Sequence, residues 1–221
     1  MKLLFATTNA AKFREACDAL GDTRMEILGL RDFPHVSSVP ETGETFRENA
    51  VLKARGYFRQ TDIPCIADDG GLIVDYLGGM PGVHSHRWLG HAATDQELAE
   101  AILERLEGVS RQERTARLGG VIAFWDGAHL LESENWLEGY VADRLMGEVR
   151  PGFPYRALLM IPEFNKAYAE LTPEEHQKVN FRRKNLESLT PHIIEHLAHC
   201  AKGSANDGQR KTEQSSQRTI T

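Results

Sequence analysis

The stretch CIADDGGLIVDYLGGMPGVHSHR, from Cys65 to Arg87, places two adjacent carboxylates, Asp68 and Asp69, where an apolar run gives way to glycines. Open α/β sheets bind ligands at the carboxyl ends of their strands, and two close like charges there favour a divalent cation. The plainer alternative is a pair of turn-forming aspartates. Two polar blocks lie upstream, ATTNAAK at Ala6 to Lys12 and ETGETFRENAVLKA at Glu41 to Ala54, both denser in functional groups than a connecting segment requires. Together the three blocks point to an enzyme that acts on phosphates.

Around these blocks the hydrophobic pattern alternates between strand and helix. Leu3 to Ala6 is a short buried strand, and Phe13, Ala16, Cys17 and Leu20 follow at helical spacing. A second helix is predicted from about Thr45 to Thr61, with Phe46, Ala50, Val51, Ala54, Tyr57 and Phe58 on one arc, and a strand around Ile63 to Ala67. Thr94 with Glu97 is a capping box that opens a third helix, stopping at Gly108. Thr115 to Trp125 and His129 to Ala142 are predicted as a long antiparallel pair about an Asp126-Gly127 turn. Thr172, Pro173 and Glu175 open another helix, and a last one is expected after Pro191. The fold class is α/β. One domain is expected over residues 1–200, with a disordered tail over 201–221, where apolar periodicity is absent.

A chain of 221 residues with 41% hydrophobic content can bury a sizeable core. Its net charge of −6 argues against binding polymeric nucleic acid, although a local cluster of Lys and Arg can still hold a small phosphorylated ligand. Three widely spaced cysteines, Cys17, Cys65 and Cys200, favour a reducing compartment, and the cytoplasm is the expected location. Neither a signal peptide nor a long apolar span is read, so no membrane partner is expected.

Thr7, Thr8, Asn9 and Lys12 sit at a strand-to-helix turn, where free backbone N–H groups favour an anion; equally, Thr8 or Asn9 could simply cap the helix. On the second helix Lys53 lies at one edge of the apolar arc and Glu48 beyond the other, and a solvated face is the plain reading of both. In HIIEHLAHC, His192, His196 and His199 share a helical face with Cys200 beside it, a transition-metal pattern set against an ordinary solvated surface.

ATTNAAK, ETGETFRENAVLKA, ADDGGL and LGGMPGV, in this order, give the chain its resemblance to the inosine triphosphate pyrophosphatase family, the XTP/dITP diphosphatases, from Met1 to about Leu189. The resemblance implies an elongated central mixed sheet flanked by helices, two lobes with a substrate cleft between them, and a homodimer. It further implies Mg²⁺-dependent hydrolysis of a nucleoside triphosphate to monophosphate and pyrophosphate. Asp69 would be general base and metal ligand, Glu48 its metal partner and Asp68 an assisting carboxylate. Thr7 to Lys12 and Lys53 would bind phosphates.

The chain also departs from this family. The motif GFGYDP is GFPYRA from Gly152 to Ala157: Phe153 and Tyr155 remain to stack on a base, Arg156 reverses a charge beside it, and Pro154 removes a backbone donor. The lysine and SHR motif aligns with His176, Asn180, Phe181 and Arg182, of which Arg182 alone is kept, and Gly70 stands for the usual serine. Phosphate and metal residues persist while base-reading residues change, which points to altered nucleotide specificity. The alternative is a nucleotide-binding or regulatory paralogue without efficient hydrolysis.

Overall fold

A computed structural model describes the backbone of residues 1–216, apart from Asp22 and His86, and side chains as far as Ala198. The strands are β1 (Lys2–Phe5), β2 (Glu26–Gly29), β3 (Cys65–Val74), β4 (Thr115–Trp125), β5 (Leu130–Val141), β6 (Leu159–Ile161) and β7 (Lys166–Ala167). The α-helices are α1 (Ala10–Leu20), α2 (Phe46–Thr61), α3 (Asp95–Arg105), α4 (Pro173–Val179) and α5 (Phe181–Ser216). One seven-stranded sheet runs β2-β1-β3-β4-β5-β6-β7. Its first three strands are parallel and the rest antiparallel.

The parallel strands are apolar on both faces because helices cover both. Leu3 and Phe5 pack with Ala16, Leu20, Leu186 and Ile193 of α1 and α5, whereas Leu4 and Ala6 pack with Phe46, Ala50 and Ala54 of α2. A third core lies at the other end of the long strands, where Leu72 and Leu118 meet Leu98 and Ile102 of α3. The β4–β5 pair forms as the alternation and the Asp-Gly turn predict, with Leu130 opposite Trp125.

Two expectations are corrected. The strand predicted to end at Ala67 continues to Val74, because the Asp-Asp-Gly-Gly run pairs in register with β4, Gly70 opposite Gly120 and Gly71 opposite Gly119. Glycines are needed there: a Cβ on Gly120 would lie 2.2 Å from the Asp69 carbonyl oxygen and 2.5 Å from Gly70 Cα. The last helix begins at Phe181 and passes through Pro191, where Thr190 Oγ1 donates to the Leu186 carbonyl at 2.6 Å. The backbone of α5 is helical as far as Ser216. Residues 217–221 lie outside the described residues.

Because strand β3 touches β4 backbone to backbone, Gly120→Ala should destabilise the protein by roughly 1–3 kcal/mol, the usual cost of overpacking. Guanidinium unfolding would register this as a lower midpoint at unchanged slope.

Candidate active site

β1 pairs with β3 only as far as Phe5 opposite Ile66, and β3 then runs on beside β4 alone. The edge freed in this way lies at the carboxyl end of β1, where the sheet changes from parallel to antiparallel, and the first turn of α1 closes over it. Asp68 and Asp69 follow shortly after the last paired residue. They therefore lie within a strand rather than at its end, and strand alternation sends them to opposite faces. Asp68 meets α1 and α5, and Asp69 meets α2.

On the first face Asp68 Oδ2 accepts from Arg182 Nε at 3.1 Å and Nη2 at 2.9 Å, with Lys12 Nζ also 3.1 Å away. Arg182 also donates to Glu15, whose other oxygen accepts from Arg156 Nη2 at 2.6 Å. Burial would raise the Asp68 carboxyl, but Lys12 and Arg182 outweigh it and hold Asp68 well below the usual range. Burial likewise opposes, and Arg156 and Arg182 likewise overcome, the ionisation cost of Glu15, whose pKa is lowered. Lys12 moves down, chiefly through burial. Asp68 is thus bound by three nitrogens of two cations on this face.

On the second face Asp69 Oδ1 accepts from Lys53 Nζ at 3.0 Å, and Lys53 is also 3.3 Å from Glu41 Oε1. Asp69 Oδ2 is buried and has no hydrogen-bond partner among the described residues. Burial, with Glu41 adding to it, raises the Asp69 pKa against the pull of Lys53. Lys53 itself moves up, because Asp69, Asp68 and Glu41 overcome its own burial. Glu48, expected as the metal partner, instead caps its helix, where its carboxylate accepts from the Glu44 and Thr45 amides at 2.7 and 3.3 Å in a capping box. Asn49 accepts from the Gly43 amide at 2.8 Å, and Arg87 Nη2 donates to the Glu41 carbonyl at 3.0 Å. The loop so fixed brings Glu41 toward Asp69. Glu41 opens the same sequence block as Glu48, but lies in an extended segment that helical periodicity cannot orient.

The turn after β1 is committed to structure. Thr7 Oγ1 accepts from the Asn9 amide at 3.1 Å, and Asn9 Oδ1 caps α1 by accepting from Ala11 and Lys12 at 2.9 and 3.1 Å. Asn9 Nδ2 donates to the Gly152 carbonyl at 2.9 Å, joining this turn to the GFPYRA segment. Thr7 and Thr8 line a neighbouring cavity of about 790 Å³, whereas Lys12 lines the cleft beside Gly70.

The residues expected to read a base form a packed cluster. Tyr155 is buried in the α3 core and its hydroxyl donates to the Ser85 carbonyl at 2.5 Å, so its ring is not free to stack on a base. Arg156 does not stand as a reversed charge: Glu15 neutralises it, and its guanidinium lies 3.4 Å from the Phe153 ring centroid. His176 is near the same network, its Nε2 3.8 Å from Glu15 Oε1 and without a hydrogen bond, its pKa lowered by burial and by Arg156. Tyr168, 5.0 Å from both Arg156 and the His176 ring, carries no motif that would single it out in the sequence; its hydroxyl is pushed up to about 12 by burial. Phe181 and Pro154 line the cleft with Arg182. Gly70 does more than lack a hydroxyl, since a Cβ there would lie 2.3 Å from the Gly119 carbonyl oxygen. The cavity these residues enclose has a volume of about 40 Å³, far below the several hundred Å³ that a bound nucleotide fills.

A sheet that reverses direction at a strand carrying two buried, lysine-bound carboxylates defines a class of α/β proteins. The chain belongs to the Ham1 family, whose model matches residues 3–192. It is 42% identical over 192 residues to a dITP/XTP pyrophosphatase of Vibrio parahaemolyticus, covering 85% of this chain and 94% of that one. It is 41% identical over 189 residues to a protein of the same name from Geobacillus kaustophilus, covering 85% and 92%. Among solved structures, a HAM1 protein from Coxiella burnetii superposes with a TM-score of 0.77 at 33% identity, covering 88% of this chain and 99% of that one. A nucleoside-triphosphatase, or dITP/XTP pyrophosphatase, from Mycobacterium abscessus superposes with a TM-score of 0.70 at 34% identity, covering 86% and 100%.

Asp68 and Glu15 both titrate below their unfolded values, so their pairings stabilise the fold above roughly pH 4 and lose that contribution as the pH falls further. Glu15→Gln should cost about 3 kcal/mol at neutral pH by leaving buried guanidinium charge unmatched. It should also flatten the acid dependence measured by urea unfolding at neutral pH and near pH 3; equal dependence in both proteins would contradict this assignment.

Proposed function

We propose that this chain hydrolyses a nucleoside triphosphate between its α and β phosphates, releasing the monophosphate and pyrophosphate. The reading is carried by Asp69: one carboxylate oxygen is held by Lys53 and the other is buried, unpartnered and raised in pKa. Such an oxygen is suited to accept a proton from an attacking water. Lys53 and Lys12, on either side of β3, would hold phosphate oxygens and orient the chain for in-line attack. The first turn of α1 adds its helix dipole to the same end of the cleft.

The Glu41 carboxylate and the Asp69 oxygen that Lys53 now bridges fit a hard divalent cation, and we assign Mg²⁺ to them, leaving the orphaned Asp69 oxygen to take the proton. When bound, the ion would neutralise triphosphate charge and fix its geometry. Lys53, which now bridges the two carboxylates, would then turn toward phosphate.

The nucleobase end would read differently from that of an enzyme specific for ITP, dITP or XTP. Arg156, held by Glu15 over Phe153, presents guanidinium N–H donors where the resemblance leads one to expect an acidic acceptor, so a base would be met there at an acceptor atom rather than at a ring N–H. The small cavity implies that the two ends of the sheet part as substrate enters, in keeping with a two-lobed cleft. It is also the observation that favours the alternative, a protein that binds nucleotide without efficient turnover. Free Cys17 and Cys65 support a cytoplasmic location, and a homodimer is the assembly that the resemblance suggests. Among the described residues no helix is long and apolar enough to cross a membrane.

Pyrophosphate release with Mg²⁺ across standard, deaminated and modified triphosphates should be rapid for at least one nucleotide. It should fall by about 10²–10⁴-fold in Asp69→Asn, as loss of a general base does. Silence across the whole panel would replace hydrolysis with binding. In the same assay Arg156→Asp should reorder the substrates while leaving the Asp69 dependence intact; an unchanged order would remove Arg156 from base reading.

A further inference from the structure

The β4–β5 turn and helix α5 meet well away from the cleft. Asp126 lies five residues beyond Val121, the residue paired with Asp69, or roughly 17 Å along the strand. Ile193 and Leu197 are buried in the core with Phe124, and Leu131 packs against them, which fixes the helix over the hairpin. This docking leaves His196 against the turn. The His196 and His129 rings lie 4.3 Å apart between centroids and are tilted by 33°.

Asp126 completes the group from below. Its Oδ1 accepts from the Ala128 and His129 amides at 2.9 and 2.7 Å, which locks the carboxylate, and its Oδ2 is 3.0 Å from His129 Nδ1. The Asp126 side chain is 1% exposed and that of His129 54%, so the group has a buried carboxylate floor and an open side. One carboxylate oxygen and one nitrogen from each ring lie within 4.8 Å of one another. An ion at 2.0–2.2 Å from three such ligands needs separations of roughly 3–4 Å, within reach of small rotations of the two rings.

We propose that Asp126, His129 and His196 form a surface site for an imidazole-preferring divalent transition metal, of which zinc is the natural probe. Two nitrogens and one oxygen are borderline donors, which suit zinc, nickel or copper rather than Mg²⁺. The fourth position, on the side of His129, is left for water. The ligands come from the hairpin and from α5, so the ion clips the helix to the turn. Among the described residues, the face read from the sequence contributes His196 alone: His192 is exposed one helical turn earlier, and His199 and Cys200 lie outside the described side chains.

Untagged, chelator-treated protein titrated with zinc in the presence of excess Mg²⁺, which occupies the cleft carboxylates, should bind one equivalent and melt at a higher temperature. Cobalt should give visible absorption bands under the same conditions. His129→Ala and His196→Ala should each weaken zinc at least ten- to hundredfold, the loss that even an outer-shell partner causes, with pyrophosphate release unchanged. Asp126→Asn, whose side-chain oxygen can still hold the turn amides, is the second variant should a histidine replacement lower the metal-free melting temperature. Absence of zinc binding in the parent protein, or binding of equal strength in the correctly folded variants, would overturn the site.

Discussion

The buried ion pair between Asp68 and Arg182 is the constraint on which the rest of the site depends. It ties the middle of the central strand β3 to the start of helix α5, and through Glu15 it reaches helix α1. A buried pair of this kind adds little net stability over apolar packing, but removing either member leaves an uncompensated charge in a dry interior. What it supplies is position. With Asp68 occupied on one face, Asp69 is the carboxylate of β3 that keeps an oxygen without a hydrogen-bond partner among the described residues.

Charge balance explains how the site tolerates so many cations around the GFPYRA segment. Lys12, Arg182 and Arg156 all lie around Asp68 and Glu15, with the short Arg156 to Glu15 contact neutralising the residue that most distinguishes this chain from the family it resembles. Arginine suits this better than lysine, since its planar fork can serve Glu15 and lie over Phe153 at the same time. Tyr168 and His176 fill the space beside it. The altered residues form one packed cluster, so each is intelligible only with its neighbours present.

Much of this is legible in the sequence wherever the physics is local. The Thr94 and Thr172 capping boxes both form, each with its glutamate three residues on. Alternation and an Asp-Gly turn are enough for the β4–β5 pair. What depends on register or on distant partners is not legible: Glu41 is brought to Asp69 by a loop that Asn49 and Arg87 hold, and Tyr155 reads as a stacking ring until its burial is seen. Glu48 misleads for a related reason, because a helix-start glutamate serves equally well as ligand or cap. Pro191 misleads in the opposite sense, since backbone bonding carries a helix across it.

The amide of Asn9 has two ends, and each is committed: the oxygen to the first turn of α1, the nitrogen to Gly152. The Gly152 amide in turn donates to Asp95 at the start of α3 at 2.6 Å. One side chain and one glycine thus splice the turn after β1 to the GFPYRA segment, and on to a helix at the far end of the sheet. A displacement of the GFPYRA segment is therefore passed to the turn after β1 and to the backbone of Lys12, whose amide shares the Asn9 cap.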